Sequence, residues 1–244
     1  MKPFLILQLR PETDAADAEF ASILNRSGLK AERCHRVRLD CEDLPAGLDV
    51  RDYAGVIVGG GPGCVSDDPA KKSAMDSRIE ETVMGLMPQI TELDHPFMGC
   101  CYGLGILAAH LGGNVSKAQY GEPVGPSDCT LTKDAQNDPL TTGLPEAFEA
   151  FVGHKEAVQA LPPGCVHLVA SAPCPFQMVR FGENVYATQF HPEADAADFE
   201  HRIRIYSGHG YFPPEQADEL ITRCHAAEVT VPGEILRRFA QRYG

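Results

Sequence analysis

Over its first two hundred residues the chain alternates short apolar runs with amphipathic stretches of helical length. Residues 4–9, 30–37 and 55–58 are predicted to be strands, and residues 14–26 a helix that ends at Gly28. Strands that alternate with helices form a sheet that is largely parallel and covered by helices on both faces. The pattern therefore predicts an α/β fold with an open, mostly parallel central sheet flanked by helices in flavodoxin-like layers.

Short strands follow one another closely in the second half of the chain, with Pro, Gly and Asn turns between them. They are predicted at residues 114–118, 128–132, 150–152, 166–170, 176–181 and 185–190. This spacing indicates a hairpin-rich side of the sheet. Helices are then predicted near residues 194–206, 214–227 and 232–242, with a loop over 207–214. We expect one domain over residues 1–193 and a helical C-terminal extension, residues 194–244, packed on it.

The chain is acidic, with 34 Asp and Glu residues against 21 Lys and Arg and a net charge of −13. A strongly negative protein is poorly suited to the phosphate backbone, so nucleic acid is not expected as a partner. The first apolar run, residues 4–9, is too short for a signal peptide or a membrane span. No membrane association is therefore expected, and the cytoplasm is the predicted location.

Nine cysteines are present, an odd number in a chain too long for a small disulfide scaffold. Free thiols in a reducing compartment fit this number better. Soft metal ligands are adjacent at Cys34 and His35 and again at Cys224 and His225. No C-x-x-C or H-x-x-x-H pair completes a set of zinc ligands, however. We therefore expect neither a metal nor a cofactor.

The motif G-C-C-Y-G lies between a predicted strand, residues 95–99, and a predicted helix, residues 103–111. A nucleophile on a tight strand-to-helix turn needs small residues two positions before and after it, and Gly99 and Gly103 have that spacing from Cys101. The N-terminus of the helix is then expected to lower the pKa of the Cys101 thiol. The alternative is a pair of cysteines packed as small core residues.

The motif H-P-E follows the predicted strand over residues 185–190. Pro192 forces the chain to turn, which places His191 and Glu193 at the carboxyl end of a strand, where ligand sites of open α/β sheets lie. His191 is a candidate base for Cys101, and Glu193 a candidate to orient its imidazole. On its own, a histidine after a strand is more often only a polar strand end.

The motif G-G-G-P-G, residues 59–63, gives backbone amides free access to a cleft. It lacks the G-K-[ST] ending of a phosphate-binding P-loop and the G-x-G-x-x-G spacing of a dinucleotide fold. Stabilisation of an oxyanion suits it better, and the amides of Gly61 and Tyr102 are the candidate donors.

Together these motifs resemble the class I (triad) glutamine amidotransferases, with the greatest likeness to the amidotransferase domain of GMP synthases. The resemblance covers about residues 50–193 and includes motifs beyond the triad. These are V-I-V-G-G-G-P-G-C-V (56–65), A-Q-Y-G-E (118–122), D-P-L-T-T-G-L-P (138–145), G-H-K-E-A-V (153–158) and Y-A-T-Q-F-H-P-E (186–193).

The resemblance implies that a cysteine attacks the side-chain amide of glutamine, that ammonia leaves, and that water hydrolyses the γ-glutamyl thioester. It assigns the roles of nucleophile, base and orienting group to Cys101, His191 and Glu193, and the oxyanion hole to Gly61 and Tyr102. Other residues are expected to border the substrate. They are Gly60, Gly103, Gly105, His154, Lys155 and Glu156.

One position departs from the family pattern. The family usually has Gln four residues after the nucleophile, where it helps to hold the substrate, but this chain has Gly105. Either a larger γ-glutamyl compound or another acyl group enters the space, or another side chain fills it. The sequence thus predicts a glutamine amidotransferase-like cysteine hydrolase that releases ammonia or an amine, and leaves a γ-glutamyl peptide hydrolase or transpeptidase as an alternative.

The expected partners follow from that chemistry. Glutamine or another γ-glutamyl compound is the expected substrate, and since no synthase domain follows Glu193, a synthase subunit on another chain is the expected acceptor of ammonia. The extra helices are candidates for docking that subunit, for forming a homo-oligomer, for covering the cleft or for packing alone. A non-catalytic binding protein, or a thiol redox sensor that uses Cys100 and Cys101, is the alternative from another class.

Overall fold

The computed structural model describes residues 1–208 and 212–244, which form a central sheet of nine strands, a second sheet of two strands and six α-helices. The strands are β1 (Phe4–Gln8), β2 (Cys34–Arg38), β3 (Gly55–Val58), β4 (Phe97–Cys100), β5 (Val115–Ser116), β6 (Glu122–Leu131), β7 (Ala147–His154), β8 (Ala157–Val158), β9 (Cys165–Ser171), β10 (Met178–Phe181) and β11 (Val185–Thr188). The helices are α1 (Thr13–Ser27), α2 (Ala74–Glu92), α3 (Tyr102–His110), α4 (Ala196–Tyr206), α5 (Ala217–Ala226) and α6 (Val231–Tyr243).

One half of the central sheet is parallel. Strands β2, β1, β3, β4 and β11 lie side by side in that order and run in one direction. Strands β1, β3, β4 and β11 are buried along their whole length, as expected when helices cover both faces. Because β3, β4 and β11 are neighbours, the segments that follow them meet at one edge of the sheet. These segments are the glycine loop, the turn at Cys101 and the H-P-E motif.

The other half of the sheet is antiparallel. Strands β10, β9, β6 and β7 continue the sheet beyond β11, and the strands β5 and β8 pair separately. The predicted α/β fold, with a mostly parallel central sheet and a hairpin-rich side, is thus confirmed.

Alternate side chains of the central strands point into two separate apolar layers. Leu5 and Leu7 of β1 join a core that includes buried residues of α2 and α3. Phe4 and Ile6 point the other way, into a core that includes Ile23 of α1 and several residues of α6. The period of two residues in a strand therefore produces a helix layer on each side of the sheet.

Most predicted elements occur with their ends shifted by a few residues. Helix α1 ends at Gly28 as predicted, and Gly28 has the left-handed φ of 73° that glycine allows. The strand predicted at residues 30–37 begins only at Cys34, because residues 31–33 form a short 3₁₀ turn. The predicted loop over residues 207–214 includes residues 209–211, which lie outside the described part of the chain.

The C-terminal helices pack on the rest of the chain. Helix α4 contacts α1 and α5, α5 contacts β6, and α6 contacts α1 and β7. The division into residues 1–193 and 194–244 stays a prediction. Across residues 1–208 and 212–244, no helix has the length and apolar character needed to span a bilayer.

Candidate active site

Cys101 lies on the tight turn between β4 and α3 with φ of 52° and ψ of −90°. Such a backbone conformation is strained for a residue with a side chain, at a cost of about 1–3 kcal/mol. The Cys101 amide donates a hydrogen bond of 2.7 Å to the carbonyl oxygen of Thr188, which ties the turn to the end of β11. The turn thus holds the Cys101 side chain away from both the strand and the helix, while Cys100 is fully buried in the core.

Gly99 allows the strand and the helix to approach each other on the two sides of this turn. A Cβ atom on Gly99 would lie 2.8 Å from the carbonyl carbon of Gly103 and 2.9 Å from Cε1 of Phe97. A Cβ atom on Gly103 would instead meet Val58 at ordinary distances of 3.6 Å and more. The predicted strand, turn and helix are therefore present, but the close approach depends on Gly99 rather than equally on both glycines.

His191 and Glu193 form a buried hydrogen-bonded pair beyond the end of β11. Nδ1 of His191 and Oε1 of Glu193 are 2.8 Å apart, and the backbone amide of His191 donates to the carbonyl oxygen of Phe151. With Nδ1–H donating to the carboxylate, the other ring nitrogen, Nε2, is left as an acceptor. His191 and Cys101 line the same cavity, so the candidate base and the candidate nucleophile face one space.

Arg202 of α4 completes this pair and was not predicted from the sequence. Its Nη2 donates to Oε1 of Glu193 at 2.9 Å, and its Nη1 lies 3.2 Å from Nδ1 of His191. Burial alone would raise the pKa of Glu193, but its interactions with His191 and with the Arg202 guanidinium hold it well below its ordinary value. Glu193 therefore stays a carboxylate although it is fully buried.

The pKa of the Cys101 thiol differs from the prediction. Burial raises it to about 12, and the nearby positive charge of Arg10 only partly opposes this effect. Burial also lowers the pKa of His191. Desolvation thus outweighs the effect of the helix N-terminus on the pKa of the Cys101 thiol.

Arg10 and Gln189 are two further residues of the site that the sequence did not reveal. Nε2 of Gln189 lies 3.6 Å from Sγ of Cys101 and donates to it. Arg10 follows β1 at the same sheet edge, and its Nε donates to Oε1 of the buried Glu19 at 2.9 Å. A cation directly after a buried apolar strand was a usable signal for Arg10, whereas nothing local marks Gln189.

Two cavities meet at Cys101. The first, which we call the Glu156 cavity, has a volume of about 390 Å³, and its lining includes Gly61, Tyr102, Gly105, His154, Lys155 and Glu156. The second, which we call the Arg10 cavity, has a volume of about 470 Å³, and its lining includes Arg10, His191, Phe199, Arg202, Ile203 and Phe212. Three residues line both cavities, namely Gly61, Cys101 and Gly153.

The candidate oxyanion donors, Gly61 and Tyr102, border the Glu156 cavity together with Cys101. Tyr102 is the first residue of α3, where a backbone N–H has no partner within the helix and can point at a ligand. Its hydroxyl donates to Oε2 of Glu80 at 2.6 Å, which fastens the start of α3 to α2. Both candidate donors therefore line a cavity that Cys101 also lines.

The predicted substrate residues fall into two groups. Gly105, His154, Lys155 and Glu156 line the Glu156 cavity. Gly60 and Gly103 lie behind the cavity walls instead: a Cβ atom on Gly60 would come within 2.7 Å of the His191 ring, and Gly103 packs on Val58. Gly60 therefore makes room for the candidate base, because a larger residue at position 60 would collide with the His191 ring, whereas a Cβ atom on Gly103 would make only ordinary contacts.

His154 has both ring nitrogens engaged within the protein. Nδ1 is 2.8 Å from the carbonyl oxygen of Glu156, and Nε2 is 3.0 Å from Oε2 of Glu122. Oε2 of Glu122 also accepts from Gln177, and Oε1 accepts from Ser127. The ring of His154 thus supports the loop that carries Glu156 and has no nitrogen left for a substrate.

Glu122 and His154 also lie close to a buried cysteine. The ligand atoms of Glu122, His154 and Cys174 are all within 4.8 Å of one another. Both carboxylate oxygens of Glu122 and both nitrogens of His154 already take part in hydrogen bonds. The polar side-chain atoms of Glu122 and His154 thus already have partners within the protein, which is the usual state of buried polar groups.

Glu156 occupies the space beside Gly105. Its Oε1 accepts from the amide of Val65 at 2.8 Å, and its Oε2 accepts from the amide of Ser66 at 2.8 Å and from the Ser66 hydroxyl at 2.7 Å. A Cβ atom on Gly105 would lie 3.1 Å from this Oε1. Glu156 thus takes up part of the space beside Gly105, as in the second of the two predicted consequences, while Gly105 also lines the Glu156 cavity.

A thiol on a strained strand-to-helix turn, a buried histidine–carboxylate pair in the same cavity, and two candidate backbone donors that line a cavity with the sulfur are the features expected of an α/β thiol hydrolase. The family model described as "Glutamine amidotransferase class-I" matches residues 14–205 of this chain. The chain therefore belongs to the class I glutamine amidotransferase family. The predicted resemblance, and the prediction of an enzyme of this type, are confirmed.

Relatives of known name support this membership. The chain is 31% identical over 174 residues to a glutamine-hydrolyzing GMP synthase of Elusimicrobium minutum, an alignment that covers 68% of this chain and 30% of that protein. It is 30% identical over 218 residues to the GMP synthase of Nitrosomonas eutropha, with 81% and 39% of the two chains covered. The chain thus spans about a third of the length of these curated relatives.

The fold is similar to that of a solved glutamine amidotransferase from Thermotoga maritima. The two structures superimpose with a TM-score of 0.77 at 18% sequence identity, and the match covers 100% of this chain and 98% of the other. The likeness at this identity concerns the fold alone.

Proposed function

We propose that this chain hydrolyses γ-glutamyl amides through a thioester on Cys101, with release of ammonia or an amine. The observation that carries this proposal is the strained turn at Cys101, because it places the thiol in one cavity with His191. His191 in turn is held by Glu193 at 2.8 Å. A structural cysteine has no need of a backbone conformation that costs free energy.

The first half of the reaction uses the residues around the sulfur. His191 takes the proton of Cys101 as Sγ attacks the γ-carbonyl carbon, and the negative oxygen that forms accepts hydrogen bonds from the amides of Gly61 and Tyr102. His191 then gives that proton to the leaving nitrogen as the C–N bond breaks. Glu193 and Arg202 hold the ring in the orientation that both transfers require.

The second half regenerates the thiol. His191, now neutral again, takes a proton from water as the water oxygen attacks the thioester carbon, and glutamate leaves as the C–S bond breaks. The proton returns to Sγ of Cys101. No cofactor enters either half of the reaction.

Glu156 is the group that we assign to the α-ammonium of the glutamyl part. Oε1 of Glu156 accepts one hydrogen bond in the protein, which leaves it capacity for a second. It lines the cavity beside the candidate oxyanion donors. A negative group at this place suits the positive amine of a γ-glutamyl compound.

Ammonia released by this chain would need an acceptor, and the names of the relatives indicate one kind. Both named relatives are GMP synthases, proteins about three times as long as the matched segment. We infer that a synthase on another polypeptide is one candidate acceptor. The γ-glutamyl peptide hydrolase remains the second candidate function, and the Arg10 cavity on the His191 side of the thiol favours it, since ammonia needs no such space.

Diazo-oxo-norleucine, an electrophilic analogue of glutamine, tests the proposal. Mass spectrometry of the treated protein is expected to find one adduct, on Cys101, that is lost in Cys101→Ala and reduced at least tenfold in His191→Ala. Cys100→Ala is the matched control, because the neighbouring thiol is fully buried, and it should label like the parent. An adduct confined to another residue would reject the proposed nucleophile.

A further inference from the structure

The Arg10 cavity combines two cations with an apolar wall. Arg10 and Arg202 line it together with Phe199, Ile203 and Phe212. The carboxylates that pair with the two arginines, Glu19 and Glu193, are 1% and 0% exposed and lie behind them. The cavity therefore presents guanidinium groups and hydrocarbon to whatever enters it.

Arg10 has donor capacity that the protein does not use. Its Nε donates to Glu19 and its Nη1 to the hydroxyl of Tyr206, while its Nη2 has no hydrogen-bond partner among residues 1–208 and 212–244. The residue is 95% buried, since only 5% of its surface is exposed. Nη2 lies near Gly60, 2.9 Å from where a Cβ atom would stand, and hence close to the His191 ring. A buried guanidinium with a spare donor attracts an anion.

The position of His191 decides which part of a substrate enters which cavity. His191 lines the Arg10 cavity, and it must reach the leaving nitrogen in order to protonate it. The leaving amine therefore lies on that side of the thiol. The glutamyl part, with its α-ammonium, is left to the opposite side, where Glu156 lines the wall.

From these observations we propose that the Arg10 cavity binds the amine part of a γ-glutamyl compound when that part carries a carboxylate and an apolar side chain. This inference rests on the proposed function and names the substrate class, of which γ-glutamyl-leucine is the simplest probe. Sγ of Cys101 attacks the γ-carbonyl carbon, the amide C–N bond breaks, and the amine leaves as free leucine with the proton from His191. Water then releases glutamate and restores the thiol.

Four substrates separate the contribution of the carboxylate of the amine part from that of its apolar side chain. They are glutamine, γ-glutamylglycine, γ-glutamyl-leucine and γ-glutamyl-isoamylamide, the last of which keeps the branched hydrocarbon of leucine but lacks its carboxylate. We expect the kcat/KM of γ-glutamyl-leucine to exceed that of the isoamylamide by about 10- to 100-fold, the factor that a hydrogen bond to a charged group supplies. γ-Glutamylglycine should fall between γ-glutamyl-leucine and glutamine.

Arg10 variants test the origin of that ratio. Arg10→Met should bring the ratio of γ-glutamyl-leucine to isoamylamide close to one, and Arg10→Lys should keep part of it. A role of Arg10 in the thiol's environment or in folding would lower the rates on both substrates alike and leave the ratio unchanged. Lys155→Met is the matched control, because it removes a cation from the Glu156 cavity and should not alter the ratio.

The failure of this inference is distinct from the failure of the proposed function. Turnover of glutamine and of the isoamylamide at the rate of γ-glutamyl-leucine would leave the hydrolase in place and overturn the substrate class. A ratio that persists in Arg10→Met would overturn the role of Arg10. Absence of turnover on all four substrates, with no adduct on Cys101, would reject the proposed function itself and this inference with it.

Discussion

Oε1 of Glu156 lies 3.1 Å from the position that a Cβ atom on Gly105 would occupy, and Cγ2 of Val65 lies 3.2 Å from the same position. The place at which the family pattern has a glutamine side chain is therefore filled by a carboxylate from another loop. That carboxylate also accepts from the amides of Val65 and Ser66. The side chain that position 105 can hold therefore depends on Glu156, and the placement of Glu156 depends on a small residue at position 105.

Restoring glutamine at this position should destabilise the protein. Gly105→Gln forces atoms into a filled site, which typically costs about 1–3 kcal/mol. Glu156→Ala leaves the amides of Val65 and Ser66 without their acceptor, at about 1–3 kcal/mol. Because the second change empties the space that the first needs, the double variant should lose less than the sum, with a coupling of about 0.5–3 kcal/mol. Denaturant unfolding of the four proteins measures this.

Gly85 provides the control for that experiment. It lies on the exposed side of α2, and nothing stands within 4 Å of a Cβ atom built on it. Gly85→Gln should leave stability unchanged or raise it by up to about 1 kcal/mol, because glycine is a poor residue inside a helix. Additive losses in the Gly105 and Glu156 variants would show that the two positions are independent.

Gly99 and Gly103 should respond differently to alanine. Gly99→Ala places a Cβ atom 2.8 Å from backbone atoms of Gly103, so β4 and α3 must separate. We expect a loss of several kcal/mol in unfolding free energy and a loss of Cys101 labelling. Gly103→Ala meets only Val58, at 3.6 Å or more, and lies within α3, so it should be neutral or stabilising. Equal effects in the two variants would contradict the asymmetry of the turn.

Local pattern was enough to predict the sheet and to place Cys101, His191 and Glu193 at one edge of it. Each of these follows a buried strand, and neighbouring parallel strands end at one edge. Arg202 could not be predicted, because it lies in a helix whose position depends on packing against α1 and α5. The filling of position 105 depends on a contact between residues 51 positions apart, and the raised pKa of Cys101 depends on burial by the whole fold.

The pH dependence of kcat/KM for glutamine should have one ascending limb. Burial lowers the pKa of His191 below its usual 6.5, so the active neutral base forms as the pH rises through a midpoint under 6.5. Burial raises the pKa of Cys101 to about 12, so no descending limb is expected up to about pH 9. Steady-state kinetics from pH 4.5 to 9.5 would measure the profile. A fall between pH 8 and 9 would instead indicate a thiolate–imidazolium pair at rest.

Stability should change with pH in the same direction. The pKa of His191 is lower in the folded protein than in the unfolded chain, so the unfolded chain binds more protons below pH 6.5. The contribution of this site is therefore fully present above pH 6.5 and decreases as the pH falls towards the lowered value. His191→Gln removes the titrating ring, so the midpoint of unfolding should vary less with pH between pH 5 and 7 than it does in the parent. If the midpoint varied with pH as steeply in the variant as in the parent, the pH dependence of stability would come from other groups.

Replacing Glu193 by Gln should affect both catalysis and folding. The change preserves size but removes the charge that faces His191 and Arg202, and the amide can present its N–H groups to Arg202. A change of this kind in a catalytic triad lowers kcat by about 10⁴-fold, and breaking a buried ion pair costs about 3–5 kcal/mol. Glu200→Gln, on the same helix as Arg202 but partly exposed beside Arg204 and His225, is the matched control and should behave like the parent in both assays. If Glu193→Gln kept its rate while it lost stability, Glu193 would have a structural role only, and His191 would need another group to orient it.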